Sequence, residues 1–211
     1  MNSVVITKTP YYRSRNGSGI IYIRIKRIMD ILLSITGLAI GGPLLLIFGL
    51  LIRLESKGPV FYKQVRCGKD GKPFIIYKLR SMKLNSECRG VQWAQKNDCR
   101  VTRVGKFIRK TKIDEIPQFL NILNGEMSIV GPRPERPSFV VEFQKKIPDF
   151  LARLQVKPGL TGWAQVNGGY ELLPNEKLRY DLYYIQHQSI RLDWTILLKT
   201  IVTVTNGKGS W

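Results

Sequence analysis

Acidic residues are scarce in this chain. Fifteen Asp and Glu stand against 34 Lys and Arg, for a net charge of +19 over 211 residues. Such an imbalance calls for anionic partners: nucleic acid, an acidic lipid surface or phosphorylated small molecules. Cysteine is also scarce. Cys67, Cys88 and Cys99 are widely spaced with no Cys-x-x-Cys, and His187 is the one histidine. That excludes a zinc site of ordinary spacing. An odd count without a framework suits a reducing compartment. No internal repeat is present, and no secretory leader fits, because the one apolar run is too long, begins late and lacks a small-residue cleavage site.

That run is the most informative feature present. Ile31 to Ile52 carries no charge and is interrupted by Gly41-Gly42-Pro43. Its length suffices for a hydrocarbon core of about 30 Å. Proline inside a helix removes a hydrogen bond and clashes with the preceding turn, and glycine weakens the helix further. The pattern predicts helix, break, helix. Arg24, Lys26 and Arg27 precede the run, and Arg53 and Lys57 follow it. Basic flanks favour the cytoplasmic side. Both ends satisfy that rule if the segment turns back at Gly42-Pro43 as a re-entrant hairpin. A proline-kinked single crossing and a buried core helix are the alternatives.

The remainder reads as one catalytic-sized domain. We divide the chain into a flexible tail (1–23), the membrane hairpin (24–56), a cytosolic domain (57–205) and a short tail (206–211). Pro59 to Arg66 and Phe74 to Leu79 alternate around an Asp70-Gly71 turn, predicting a β-hairpin. Lys83 to Thr102 reads as a loop, and Val104 to Lys110 as a short basic stretch. Thr111 with Asp114 three residues on predicts a helix start. Ile116, Phe119, Leu120 and Leu123 follow at helical spacing, and Asn124-Gly125 stops them. Met127 to Val130 is a short strand or connector, and Gly131 to Pro134 a rigid turn. Ser138 to Lys146 and Asp149 to Val156 read as helices, and Lys157 to Gly162 as a loop. Pro174 opens a helix running to about His187. Ile190 to Val204 is either an amphipathic membrane-surface helix or the last core helix. The fold class is therefore α+β, mainly helical, with amphipathic interfacial helices.

Asp114-Glu115 is the first candidate for chemistry. Adjacent residues diverge by about 100° on a helix, so they cannot grip one atom symmetrically. One could act as nucleophile while the other holds a metal or takes a proton. Ordinary helix-stabilising acids are the bland alternative. The pair follows a basic stretch that includes Arg109 and Lys112, and precedes Pro132-Arg133-Pro134, in which two prolines fix the backbone around one guanidinium. Arginine matches phosphate oxygens bidentately. Carboxylates among cations suggest Mg²⁺ with a phosphorylated substrate.

These stretches resemble the bacterial monotopic phosphoglycosyl transferases, the bacterial sugar transferase family. The resemblance rests on Lys26 to Asp30, the proline-broken run, Gly58 to Gln64, Phe74 to Met82, Asp114 to Gln118, Met127 to Glu135, Lys157 to Gly168 and Tyr180 to Ile185, in order over residues 24–205. It implies transfer of a sugar-1-phosphate from a UDP-sugar to a polyprenyl (undecaprenyl) phosphate with release of UMP. It also implies a Mg²⁺ cofactor, held by Asp114 and Glu115. Carried over residue by residue, Asp114 would be the nucleophile forming a phosphosugar-aspartyl intermediate, and Glu115 a metal ligand or base. Lys78, Arg80 and Arg109 would contact phosphates. Pro132, Arg133 and Pro134 would sit beside the nucleotide, with Asp193 on the nucleotide side. The implied location is the cytoplasmic face of a bacterial inner membrane, among anionic lipids, in the first membrane step of a glycoconjugate or exopolysaccharide pathway. Two departures stand out. Gly42-Pro43 replaces the Ser-Pro of many relatives, and Gly169 stands where many have arginine, with Lys177 and Arg179 as candidate substitutes.

Two other readings compete: a membrane-tethered nucleic-acid-binding module, motivated by the charge but lacking any recognised motif, and an inactive membrane adaptor. The intact dyad argues against the second. Monomer and homodimer are both open from the sequence.

Overall fold

A single helix organises the molecule. In the computed structural model, which describes residues 19–84, 86, 98–168 and 172–206, α1 runs from Ile20 to Glu55 with Pro43 inside it. At 36 residues it is about 54 Å long. The break expected at Gly41–Pro43 is therefore corrected: the helix continues through it. Proline costs one backbone bond, but tertiary packing holds the chain helical on both sides. The tail expected over 1–23 is shortened too, because residues 20–23 already form the first turn of α1. Residues 1–18 and 207–211 lie outside the described residues, as do residue 85, residues 87–97 and Gly169.

α1 lies along the rest of the protein on a stripe of small and polar residues. Asp30, Ser34, Gly41, Gly49 and Ile52 are its buried positions, recurring at helical spacing. Small residues let two backbones approach closely. A Cβ on Gly37 would sit 2.6 Å from the Phe119 ring, and one on Gly41 would sit 2.7 Å from Ile116 Cγ2. The opposite face carries exposed Ile21, Ile28, Leu32, Ile40, Leu46, Leu50 and Leu54.

Polar clamps fix both ends of α1 to the same body. Arg27 donates to the carbonyls of Ile122 (2.6 Å) and Leu123 (2.7 Å). Asp30 accepts from Ser128 Oγ (3.0 Å) and the Ile129 amide (2.8 Å). At the far end Glu55 accepts the amides of Arg103 (2.6 Å) and Val104 (3.1 Å), serving the orphan donors of the next helix.

The expected β-hairpin forms: β1 (Phe61–Cys67) pairs antiparallel with β2 (Pro73–Leu79). Asp70 and Gly71 take the positive φ values the turn needs. The basic stretch after residue 102 is α2 (Arg103–Lys110), capped by Thr102 Oγ1 on the Gly105 amide at 2.9 Å. The helix start expected at Thr111 is corrected. Thr111 ends α2, Lys112 adopts a left-handed conformation (φ 60°), and Ile113–Glu115 make a 3₁₀ turn before α3 (Gln118–Leu123).

A further correction concerns Lys157–Gly162. It is not only a loop: β4 (Gly159–Thr161) pairs parallel with β3 (Ser128–Val130). The pairing depends on glycine, since a Cβ on Gly159 would sit 2.1 Å from the Gly131 nitrogen. α4 (Pro137–Lys146) forms as expected, whereas Phe150–Gln155 is 3₁₀ rather than α. α5 (Trp163–Asn167), α6 (Pro174–Gln186) and α7 (Ile190–Thr205) complete the chain. The last helix packs on the core through Ile196, which is fully buried, while Trp194, Leu198, Ile201 and Val202 face outward. The central core joins Phe74 and Ile76 of β2, Ile122, Met127, Val130, Tyr184, Ile185 and Ile196.

Candidate active site

The hairpin and α3 together deliver the site. Phe74, Ile76 and Lys78 share one face of β2 by the two-residue alternation of a strand. The first two are core residues, so Lys78 points inward as well. Asn121, fully buried on α3, ties the elements together: its Nδ2 donates to the Ile75 carbonyl (2.7 Å) and its Oδ1 accepts the Tyr77 amide (3.3 Å). That lock brings Lys78 Nζ to 2.7 Å from Glu115 Oε1. From the other side comes Arg133, held between two prolines. Its Nη2 lies 2.5 Å from Glu115 Oε1 and its Nη1 3.4 Å from Oε2.

The dyad is buried and asymmetric. Asp114 and Glu115 are 6% and 7% exposed, yet their environments differ. Glu115 has both oxygens occupied by cations, whereas Asp114 Oδ1 is buried with no hydrogen-bond partner. Burial pushes the Asp114 carboxyl up to about 6, against the pull of Lys78 and with a push from Glu115. Burial acts on Glu115 in the same direction, but Arg133, Lys78 and Lys112 outweigh it and hold that carboxyl well below the usual range. Environments that drive neighbouring carboxyls apart give them different roles.

The dyad opens into a cleft of about 950 Å³ whose walls include Lys78, Arg109, Lys112, Arg133, Arg136 and Lys177, with Leu33, Ile116 and Phe119 on the apolar side. The cations favour a polyanion. Arg109 Nη1 is buried without a partner, so its guanidinium is available to one. Mg²⁺ is held through one or two carboxylates together with substrate phosphates. The orphaned Asp114 oxygen fits that pattern, with Glu115 beside it. Among the described residues no group of three or more metal-ligating side chains exists, so substrate oxygens would complete such a shell.

Five of the expected residues thus converge: Lys78, Arg109, Asp114, Glu115 and Arg133. Pro134 lines the cleft, while Pro132 lies behind it with its carbonyl accepting the Gly159 amide (2.9 Å). Two expected phosphate or nucleotide contacts are turned elsewhere. Arg80 borders the cleft but spends Nη1 on the Lys57 carbonyl (2.6 Å) and Nη2 on the Ser56 carbonyl (2.7 Å), serving the carbonyl end of α1. Asp193 faces away from the cleft, accepting from Lys26 Nζ (2.9 Å), Tyr22 (3.0 Å) and Tyr184 (2.8 Å). An acid on a terminal helix carries no sequence mark that separates a ligand contact from an anchor for α1. Of the proposed substitutes for an arginine at Gly169, Lys177 lines the cleft and Arg179 is not among its lining residues. Asp181 lies in the Tyr180–Ile185 stretch, but the sequence offered no signal that it meets Arg153 beside Arg133. Their pairing spans 28 residues and follows no helical or strand period.

Known proteins match this chain along most of its length. A family model described as bacterial sugar transferase matches residues 21–207. The chain is 50% identical over 193 residues to a UDP-N-acetylgalactosamine-undecaprenyl-phosphate N-acetylgalactosaminephosphotransferase of Aeromonas hydrophila, covering 90% of this chain and 46% of that protein. It is 57% identical over 133 residues to a putative undecaprenyl-phosphate N-acetylgalactosaminyl 1-phosphate transferase of Bacillus subtilis, covering 63% and 74%. It is 44% identical over 191 residues to a UDP-glucose:undecaprenyl-phosphate glucose-1-phosphate transferase of Klebsiella pneumoniae, covering 88% and 40%. The chain therefore spans less than half the length of the Aeromonas and Klebsiella relatives.

Proposed function

The chain belongs to the bacterial sugar transferase family, and we propose that it transfers a sugar-1-phosphate from a UDP-sugar to a polyprenyl phosphate, releasing UMP. The relatives' names support the donor and acceptor classes. The observation that carries the reading is the asymmetric dyad: a buried carboxylate with an unclaimed oxygen, beside one locked by two cations, at the mouth of a basic cleft.

In this reaction an Asp114 oxygen attacks the phosphorus that bears the sugar. The bond to the UMP oxygen breaks, and UMP leaves with that electron pair. An oxygen of the acceptor phosphate then attacks the same phosphorus, the Asp114–phosphorus bond breaks, and the carboxylate returns. Two steps let one site serve a soluble donor and a lipid acceptor in turn. Phosphoryl transfer needs positioning and charge stabilisation above all. Lys78 and Arg133 hold Glu115 ionised and fixed, and Arg109 and Lys112 offer positive charge to the donor phosphates. Asp114 with Glu115 would hold Mg²⁺, which when bound offsets charge on the diphosphate.

Membrane association follows from the exposed apolar face of α1 and the outward residues of α7. Both ends of α1 are clamped to one charged body. That favours insertion from a single face, which we assign to the cytoplasmic side of the inner membrane. Gly41 packs on Ile116, two residues from Asp114, so this geometry would hold the dyad near the headgroups, where an acceptor phosphate lies.

The test is UMP release by the full chain in lipid nanodiscs, with polyprenyl phosphate and a panel of UDP-sugars. One or more donors should give Mg²⁺-dependent UMP, and Asp114→Asn should reduce it by orders of magnitude. Absence of UMP with every donor, or full activity in Asp114→Asn, contradicts the proposal.

A further inference from the structure

Arg133 sits in a segment that cannot be held in the usual way. Pro132 and Pro134 have no N–H, which leaves the turn to be held in good part through its carbonyls, and four in succession are held. The Pro132 carbonyl accepts the Gly159 amide (2.9 Å), that of Arg133 accepts Arg153 Nη2 (2.9 Å), that of Pro134 accepts Arg66 Nη1 (3.0 Å), and that of Glu135 accepts the Cys67 amide (2.9 Å). The Arg133 carbonyl is thus held by a side chain, that of Arg153. Arg153 is 4% exposed, and Asp181, at 2% exposed, grips it twice: Oδ2 lies 3.0 Å from Nε and 2.8 Å from Nη2. Glu135 adds a longer contact to Arg153 Nη1 at 3.7 Å.

We propose that Arg153, clamped by Asp181, is a positioning residue for the transfer reaction: it fixes the Arg133 backbone and so aims the Arg133 guanidinium at Glu115. The inference rests on the transferase reading for its kinetic consequence, though not for its geometry. Buried ion pairs add little to stability compared with apolar packing, so a role in positioning gives this pair a physical purpose. Lysine could keep the charge opposite Asp181. Lacking the rigid guanidinium fork, it would not hold both Asp181 and the Arg133 carbonyl in the same geometry.

Arg153→Lys and Asp181→Asn are the variants, studied in the full chain in nanodiscs with melting temperature recorded. Misplacing a reacting constellation by about 1 Å costs on the order of 100-fold. We expect kcat to fall about 10- to 100-fold, with the KM for the UDP-sugar changing much less. In an Arg133→Gln background the same changes should cost under about twofold more, because coupled residues act as a unit. Val140→Ala, in the neighbouring core, serves as the control for destabilisation alone and should keep wild-type kcat. Losses that multiply in the Arg133→Gln background overturn the inference, as does an equal loss in Val140→Ala. A crystal structure of Arg153→Lys in which Arg133 keeps its two-pronged grip on Glu115 overturns it without reference to activity. Failure of the transferase reading is seen separately, as a wild-type chain that releases no UMP.

Discussion

The contact between Gly41 and Ile116 makes a quantitative prediction about how the membrane helix communicates with the dyad. In Gly41→Ala the new methyl would lie 2.7 Å from Ile116 Cγ2 and 3.1 Å from Cδ1. Carbon atoms rest at about 3.5–4.0 Å, so Ile116 must retreat by about 1 Å. Alanine favours a helix over glycine by about 1 kcal/mol, whereas overpacking costs about 1–3 kcal/mol. The net loss of stability is therefore small, about 0–2 kcal/mol on those two figures. The effect on rate is larger, because Ile116 follows the dyad directly and a displacement of this size near reacting atoms costs about 100-fold. Gly42→Ala is the built-in comparison: nothing lies within 4 Å of its Cβ, so stability should hold or rise and activity should stay. The assay is UMP release alongside thermal unfolding in nanodiscs. Gly41→Ala should lose far more rate than stability, and adding Ile116→Ala should recover part of that rate by removing the clash. Equal behaviour of the two alanine variants, or simple additivity with Ile116→Ala, would refute the coupling.

Five further outcomes follow from the same geometry. Burial lifts Asp114 to about 6 and the attacking form is the carboxylate, so kcat/KM should fall about tenfold per unit as pH drops below about 6. Lys78 lowers that value, so in Lys78→Met the acid limb of the pH–rate profile should move upward; an unmoved limb would show that Asp114 does not govern it. Asp193→Asn should weaken the anchoring of α1 and lower the melting temperature while leaving the KM for the UDP-sugar unchanged, whereas a raised KM would restore Asp193 to the nucleotide. Chelation of Mg²⁺ should stop turnover, with activity returning on re-addition. Single cysteines at Arg24 and Lys57, in a cysteine-free background, should be labelled by an impermeant reagent from the same side of a sealed vesicle.

Local signals were the legible ones. The Asp70-Gly71 turn, Pro174 at a helix start and the apolar spacing after Ile116 each act over a few residues, and each formed as read. The Thr111 start was mistaken because a Thr-x-x-Asp pattern fits a cap as well as it fits the end of α2 followed by left-handed Lys112. Pro43 does not interrupt α1 because packing of the small-residue stripe outweighs one lost backbone bond. The β3–β4 pair escaped notice since three-residue strands show no period and their partners lie some thirty residues apart. At the site, sequence proximity and the prolines pointed to Asp114, Glu115 and Arg133. The diversion of Arg80 to the end of α1 and of Asp193 to Lys26 depends on contacts that no spacing encodes.

The most direct measurement is the intact mass of the protein after mixing with UDP-sugar and Mg²⁺ while the lipid acceptor is withheld. Our account predicts a burst of UMP equimolar with enzyme and a mass gain of one phosphosugar group on Asp114, discharged when polyprenyl phosphate is added. No burst and no adduct, with product still forming once both substrates are present, would contradict it.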